Sequence, residues 1–182
     1  MIPWDYNLAF GTFQGNDASS AVNDPIDTPL SATGSGDRPM MDWILSSEEY
    51  TQLYHQYFQA FLDSVDCGAL IEETRALIAG YVDKDPARFC TTEEFQAGAE
   101  ALKAFCALRA ESVSGQLAGT IPSTGAGQSE NQDALVDASS LDLSDMGTMS
   151  MAGGHGGGGG FRSGSADSGE AGESGERPDV ET

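Results

Sequence analysis

The even positions Ile2, Trp4, Tyr6, Leu8 and Phe10 are all large and apolar. A period of two predicts a strand over residues 1–13, punctuated by Gly11 and Gly15. Asn16-Asp17, Asp24-Pro25, Thr28-Pro29, Gly34-Ser35-Gly36 and Arg38-Pro39 then break the pattern, and turn formers at this density predict a long irregular segment over 14–45. From residue 46 the period becomes helical. Tyr50, Leu53, Tyr54, Tyr57, Phe58, Phe61, Leu62 and Val65 form one continuous stripe, and Ser46 with Glu49 has the spacing of a capping box, so a helix is predicted over about 47–65. A second helix over about 68–81 carries Leu70, Ile71, Leu77, Ile78 and Tyr81 on one face and is broken at Asp83-Lys84-Asp85-Pro86. A third, over about 92–117, has Thr91 and Glu94 as its capping box and Phe95, Leu102, Phe105, Cys106, Val113 and Leu117 as its face, with Gly119 as its stop. The short connections predict a compact bundle over 46–118.

Beyond Thr120, Ser, Gly, Asp and Glu dominate, and glycine runs almost unbroken from Gly153 to Gly160. Leu135-Val136, Leu141 and Leu143 are too sparse to define an element. Little apolar area is on offer to offset the chain entropy, so 120–182 is expected to be a disordered tail and 1–119 the folded part.

Charge narrows the partners. The formal net charge is −21, with 18 acidic and 6 basic residues before Thr120 and 11 and 2 from there on. Both parts repel phosphate backbones and anionic lipid, which argues against nucleic acid and favours basic proteins or divalent cations. The three cysteines, Cys67, Cys90 and Cys106, form no CxxC pattern or Cys/His cluster, which argues against zinc, and their odd count at unrelated spacings argues against a disulfide framework. Cys106 is expected to be buried on the face of the third helix. The first residues carry no basic start or apolar run of a leader, and no run approaches membrane-spanning length.

The chemistry-bearing feature is Trp4-Asp5-Tyr6-Asn7. On a strand, Asp5 and Asn7 share a face. A carboxylate beside an amide carbonyl suits a hard cation such as Mg2+, which takes oxygen ligands; the same D-x-N spacing also serves as a helix cap or turn. The motif's strand has no second strand to pair with in this sequence, which predicts chain upstream of Met1.

The run Ile2-Pro3-Trp4-Asp5-Tyr6-Asn7-Leu8-Ala9-Phe10-Gly11 resembles the metal-binding motif of the CotH family, the atypical spore-coat kinases. The resemblance continues in order through Asn23-Asp24-Pro25-Ile26-Asp27-Thr28-Pro29, Arg38-Pro39-Met40, Glu49-Tyr50, Tyr81-Val82, Glu93-Glu94-Phe95 and Leu108-Arg109-Ala110-Glu111-Ser112, covering residues 2–119. It implies a mainly α, C-lobe-like helical bundle belonging to a protein-kinase-like α+β fold. It implies ATP and Mg2+ as cofactors, with Asp5 as the metal carboxylate and Asn7 as its companion. It further implies transfer of the ATP γ-phosphoryl to Ser or Thr of spore-coat or cell-surface proteins. No Gly-rich phosphate loop, strand lysine or catalytic-loop Asp precedes Asp5, so no catalytic base is assigned within the chain, and the chain by itself is expected to be inactive. The competing reading is a non-catalytic acidic helical scaffold of spore coat or cell surface.

Other candidates have plainer readings. His55 beside the tyrosine stripe reads as a partly buried helix residue, and Tyr50, Tyr54 and Tyr57 as core. Arg109 with Glu111, and Arg75 with Glu72 or Glu73, read as surface pairs. Asp24 and Asp27 lack the spacing of a calcium loop. Met146, Met149, Met151 and His155 sit in low-complexity sequence without a rigid scaffold.

Overall fold

The computed structural model describes residues 9–12, 17–28 and 43–147. Within them the elements are α1 (Ala18–Val22), α2 (Glu48–Ser64), α3 (Cys67–Lys84), α4 (Thr92–Leu117) and α5 (Gly125–Glu130), followed by 3-10 turns at Gln132–Ala134 and Leu143–Met146. The mainly helical reading holds, and the three long helices lie where the periodicity puts them.

Their starts follow from local chemistry. The Thr91 hydroxyl accepts from the Glu94 amide at 3.1 Å while the Glu94 carboxylate accepts from the Thr91 amide at 2.7 Å, a complete capping box. The Asp66 carboxylate accepts from the Ala69 amide at 2.9 Å and starts α3. For α2 the cap is Ser47 rather than the expected Ser46: Ser47 Oγ accepts from the Tyr50 amide, whereas Ser46 Oγ turns back to the Trp43 carbonyl. Beyond α4, Gly119 takes a φ of 73°, and the amides of Thr120 and Ile121 both close on the Gly115 carbonyl. Only glycine enters that left-handed region cheaply, which is why the helix stops there.

The core centres on α4. Its Ala101, Phe105 and Val113 are buried, and α2 and α3 each pack against it, α3 more extensively. Neither α2 nor α3 has a fully buried residue. The expectation that Tyr50, Tyr54 and Tyr57 are core is therefore corrected: Tyr54 is half-buried, Tyr50 is exposed and Tyr57 is 68% exposed. Their stripe is wider than the strip of surface that α4 covers. Of the expected surface pairs, Arg75 does bond Glu72, with Nη2 at 2.6 Å from the carboxylate.

Two boundaries also differ from expectation. Residues 120–147 are not a free tail. Ile121, Val136, Ala138 and Leu143 are buried and form one core cluster with Val22 and Phe105. Nor is 14–45 irregular throughout. Asp17 caps α1, its carboxylate accepting from the Ser20 amide at 2.9 Å, and Val22 is fully buried. No strand occurs among the described residues; of the expected strand 1–13, residues 9–12 form a turn and the rest lies outside the described residues, as do 148–182 of the expected tail.

A polar network welds the three pieces together. Asn23 Nδ2 donates to the carbonyls of Ser19 and Val136, and its Oδ1 accepts from Ser112 Oγ and the Val136 amide, all at 3.0–3.1 Å. Gln116 extends the network, its Oε1 accepting from the Ile26 amide and its Nε2 donating to Ser112 Oγ. Among the described residues no buried side-chain polar atom lacks a partner. α1, α4 and the C-terminal arm thus meet in one satisfied junction.

Candidate functional site

Asp5 and Asn7 lie outside the described residues. What the structure does give is the chain's exit from that motif. Phe10 packs edge-on against Phe105 of α4, ring centroids 6.2 Å apart at 84°. The next residue, Gly11, has a φ of 77°, and a Cβ on it would stand 2.6 Å from Ala21 Cβ and 3.3 Å from Leu143 Cδ1. Gly11 is therefore glycine for two reasons, the left-handed backbone and the closeness of α1. Phe10 and Gly11 clamp the motif's end against α1, α4 and the 143–146 turn at once. Gly11→Ala is expected to lower stability by about 2 kcal/mol, from backbone strain plus the overlap with Ala21, measured by urea denaturation.

Beside this anchor opens a cleft of about 430 Å³ lined by Gly11, Thr12, Asp17, Ser140, Asp142 and Ser144 among others. Hydrogen bonds from Ser20 hold the Asp17 carboxyl below its ordinary value, and bonds from Ser144 do the same for Asp142. Both are ionised at neutral pH, and the lining includes no Lys or Arg. Such a cleft repels an unaccompanied phosphate and tolerates a cation.

A second polar cluster gathers on the loop after α1. Asp27 Oδ1 lies 2.7 Å from His55 Nε2 on α2, the one His–carboxylate pair among the described residues. Arg109 of α4 reaches under the same loop and donates from Nη1 to the carbonyls of Val22 at 3.0 Å and Asp24 at 2.6 Å. Burial pushes the Arg109 guanidinium down from its ordinary value, and Asp24 and Tyr54 pull it back. Although Asp24 keeps an exposed surface, the atoms crowded about its carboxyl push it up, with Arg109 opposing. Tyr54 is pushed up by burial and then by Asp27. The cluster fastens the Asn23–Thr28 loop to α2 and α4 by charge and hydrogen bonds.

Several single-residue readings change accordingly. Arg109 is not a surface partner of Glu111; it is largely enclosed and serves backbone carbonyls. His55 is a partly exposed helix residue, as expected, but tied to Asp27. Asp27 bonds His55 through its carboxylate, whereas Asp24 meets Arg109 through its backbone carbonyl. Among the described residues no group of three or more His, Cys, Asp and Glu side chains could hold a metal ion. Arg109–Asp24 and His55–Asp27 span long sequence separations, so no local spacing pointed to them. The available signal was the unusual density of polar residues in Asn23–Thr28.

Compared with known families, residues 1–113 match the model described as CotH kinase protein. The match takes in the Trp4–Asn7 motif, the Phe10–Gly11 anchor and the Asp27–His55–Arg109 cluster, and ends before the C-terminal arm. No curated protein and no solved structure matches the chain.

Proposed function

The chain belongs to the CotH kinase protein family, and on that premise we propose that it contributes the metal-holding and helical part of an atypical protein kinase. The observation that carries this reading is the match over residues 1–113, which places Trp4-Asp5-Tyr6-Asn7 within the family's own extent. The protein-kinase-like fold, with the helices as its C-lobe, belongs to the same proposal.

The donor set fits the metal. A carboxylate at Asp5 and an amide oxygen at Asn7 are hard oxygen ligands, as Mg2+ requires. Bound there with ATP, Mg2+ would neutralise charge on the phosphates during transfer to Ser or Thr of a protein substrate. The chain's own residues do the positioning. Phe10 and Gly11 fix where the motif leaves the site, and Arg109 and His55 hold the loop that follows. An acidic surface favours basic substrate proteins, and the family's name and the resemblance together support a spore-coat or cell-surface setting. Among the described residues no helix is long and apolar enough to cross a membrane.

A specific observation supports the second reading, a non-catalytic interaction module. α2, α3 and the turn after α3 display Tyr57, Leu77, Tyr81 and Phe89 at 68%, 70%, 76% and 82% exposure. Apolar side chains presented at that density mark a surface that takes a partner.

The test compares the wild type with Asp5→Ala. Mn2+ titration, read by the EPR signal of free ion, should show the tightest site weakened by about ten-fold or more in the variant. Asp137→Asn serves as the control for general acidity. Unchanged affinity would remove Asp5 from the metal site. The 182-residue chain incubated with Mg2+ and γ-labelled ATP is expected to incorporate no label, because no Gly-rich phosphate loop flanked by strand and helix and no strand lysine is legible in its sequence. Incorporation that Asp5→Ala abolishes would make the chain a kinase unaided and overturn that expectation.

A further inference from the structure

α3 and α4 run antiparallel, and several contacts set their register. Arg75 Nη1 donates to Gln96 Oε1 at 2.5 Å, and Lys103 Nζ donates to the Glu72 carboxylate. At the start of α3, a Cβ on Gly68 would stand 3.9 Å from Lys103 Cγ. Moving toward the N-terminus of α3 therefore moves toward the C-terminus of α4. Cys67 is the first residue of α3, and Cys106 lies one turn beyond Lys103 on the same face of α4. The register sets Cys67 of α3 across from Cys106 of α4. Both are reduced and half-buried. Cys90, in the turn between the helices, stands apart from this register.

We propose that Cys67 and Cys106 are a reversible disulfide site that staples the start of α3 to the middle of α4. The odd cysteine count at unrelated spacings argues against a disulfide framework; the antiparallel register of α3 and α4 is what pairs these two. The oxidant is a low-molecular-weight disulfide. Burial pushes the Cys106 thiol up to about 11, and the adjacent Cys67 adds to that push, so Cys106 stays protonated at neutral pH and Cys67 attacks first. Cys67 Sγ bonds to one sulfur of the small disulfide and expels the other as a thiolate, which takes up the proton that Cys67 released to solvent. Cys106 Sγ then bonds to Cys67 Sγ, expels the second small thiol, and its own proton follows by way of solvent. Two protein thiols are oxidised to one disulfide, and one small disulfide is reduced to two thiols.

The bond's position gives it a consequence. Cys106 follows Phe105, which carries the Phe10 anchor, and Cys106 itself packs against the core cluster. The staple closes a loop of about forty residues that includes most of α3 and the first half of α4, which restricts the unfolded chain and slows separation of the two helices.

The test uses the full chain, folded, with excess glutathione disulfide at pH 8. The expected product has lost about 2 Da, keeps one titratable thiol, and yields a Cys67–Cys106 linked peptide in the mass spectrum. Its melting temperature should rise by on the order of 10 °C and return with dithiothreitol. Cys90→Ser should behave the same, with no titratable thiol left. Cys67→Ser and Cys106→Ser should each lose both the link and the shift. Three thiols remaining after treatment, a link through Cys90, or a stable glutathione adduct on Cys67 that never resolves would each overturn the proposal.

Discussion

A chain ended at Gly119 is expected to lose its cooperative thermal transition. The arm that follows, residues 120–147, brings Ile121, Val136, Ala138 and Leu143 into buried positions in one core cluster with Val22 and Phe105. Burying the three larger of these side chains is worth about 1.5–3 kcal/mol each, so their combined loss approaches the about 5–15 kcal/mol that holds a whole domain folded. The loss does not stop at area. Without Val136, the buried Asn23 side chain has neither the amide it accepts from nor one of the carbonyls it donates to. Without Ile121, the last turn of α4 loses the side chain that would lie 2.6 Å from a Cβ on Gly115.

The measurement is circular dichroism followed through heating, with a dye that reports exposed apolar surface. The expected outcome is retained helical signal, a broad and non-cooperative melt, and strong dye binding in the shortened chain. A cooperative transition within a few degrees of the full chain's would mean that the arm is a passenger and that α1 and α4 suffice. The family match ends at residue 113, just before this arm. The shortened chain therefore also asks whether the part the family shares can fold without the part it does not include.

Helix periodicity was legible because one residue pattern carries it locally. α4 was expected over about 92–117 and is Thr92–Leu117, with Thr91 and Glu94 capping as their spacing requires. The arm was not legible for a physical reason. Val136, Ala138 and Leu143 enter the core singly, and their backbone is satisfied by side chains and 3-10 turns, so no periodic run announces them. α1 was missed because five residues give little more than one turn; Asp17 ahead of Ala18-Ser19-Ser20-Ala21-Val22 was the one cue. In the site, the Phe10–Gly11 clamp was hidden by an alternation that read as strand. Gly11 breaks it, since a φ of 77° turns the chain where a strand would run on. Asp27–His55 and Arg109–Asp24 depend on tertiary approach of distant positions and could be seen only in the fold. The proposal of Asp5 and Asn7 as metal ligands rests on their chemistry and on the resemblance to the family, since they lie outside the described residues.

Asn23→Leu is expected to destabilise the protein by about 3–5 kcal/mol, because the substitution removes a hub and leaves its spokes buried. Asn23 is 2% exposed and spends both ends of its amide on four partners. Leucine has the same branching and is not smaller, so the effect is not one of lost volume. It comes from the Val136 amide, the Val136 carbonyl and Ser112 Oγ, which lose a partner where water cannot replace it. Ser112→Ala removes one spoke of the hub and the bond from Gln116 Nε2, so it should cost about 1–2 kcal/mol. Both single variants lose the Asn23–Ser112 bond and the double variant loses it only once, so the combined cost should fall short of the sum by on the order of 1 kcal/mol. Urea unfolding of the four proteins closes the cycle. Additive costs, or a loss below about 1 kcal/mol for Asn23→Leu, would mean that the three pieces are joined by apolar packing alone. A coupled loss would identify the Asn23–Ser112 bond as the point where the segment following α1 is fastened to α4.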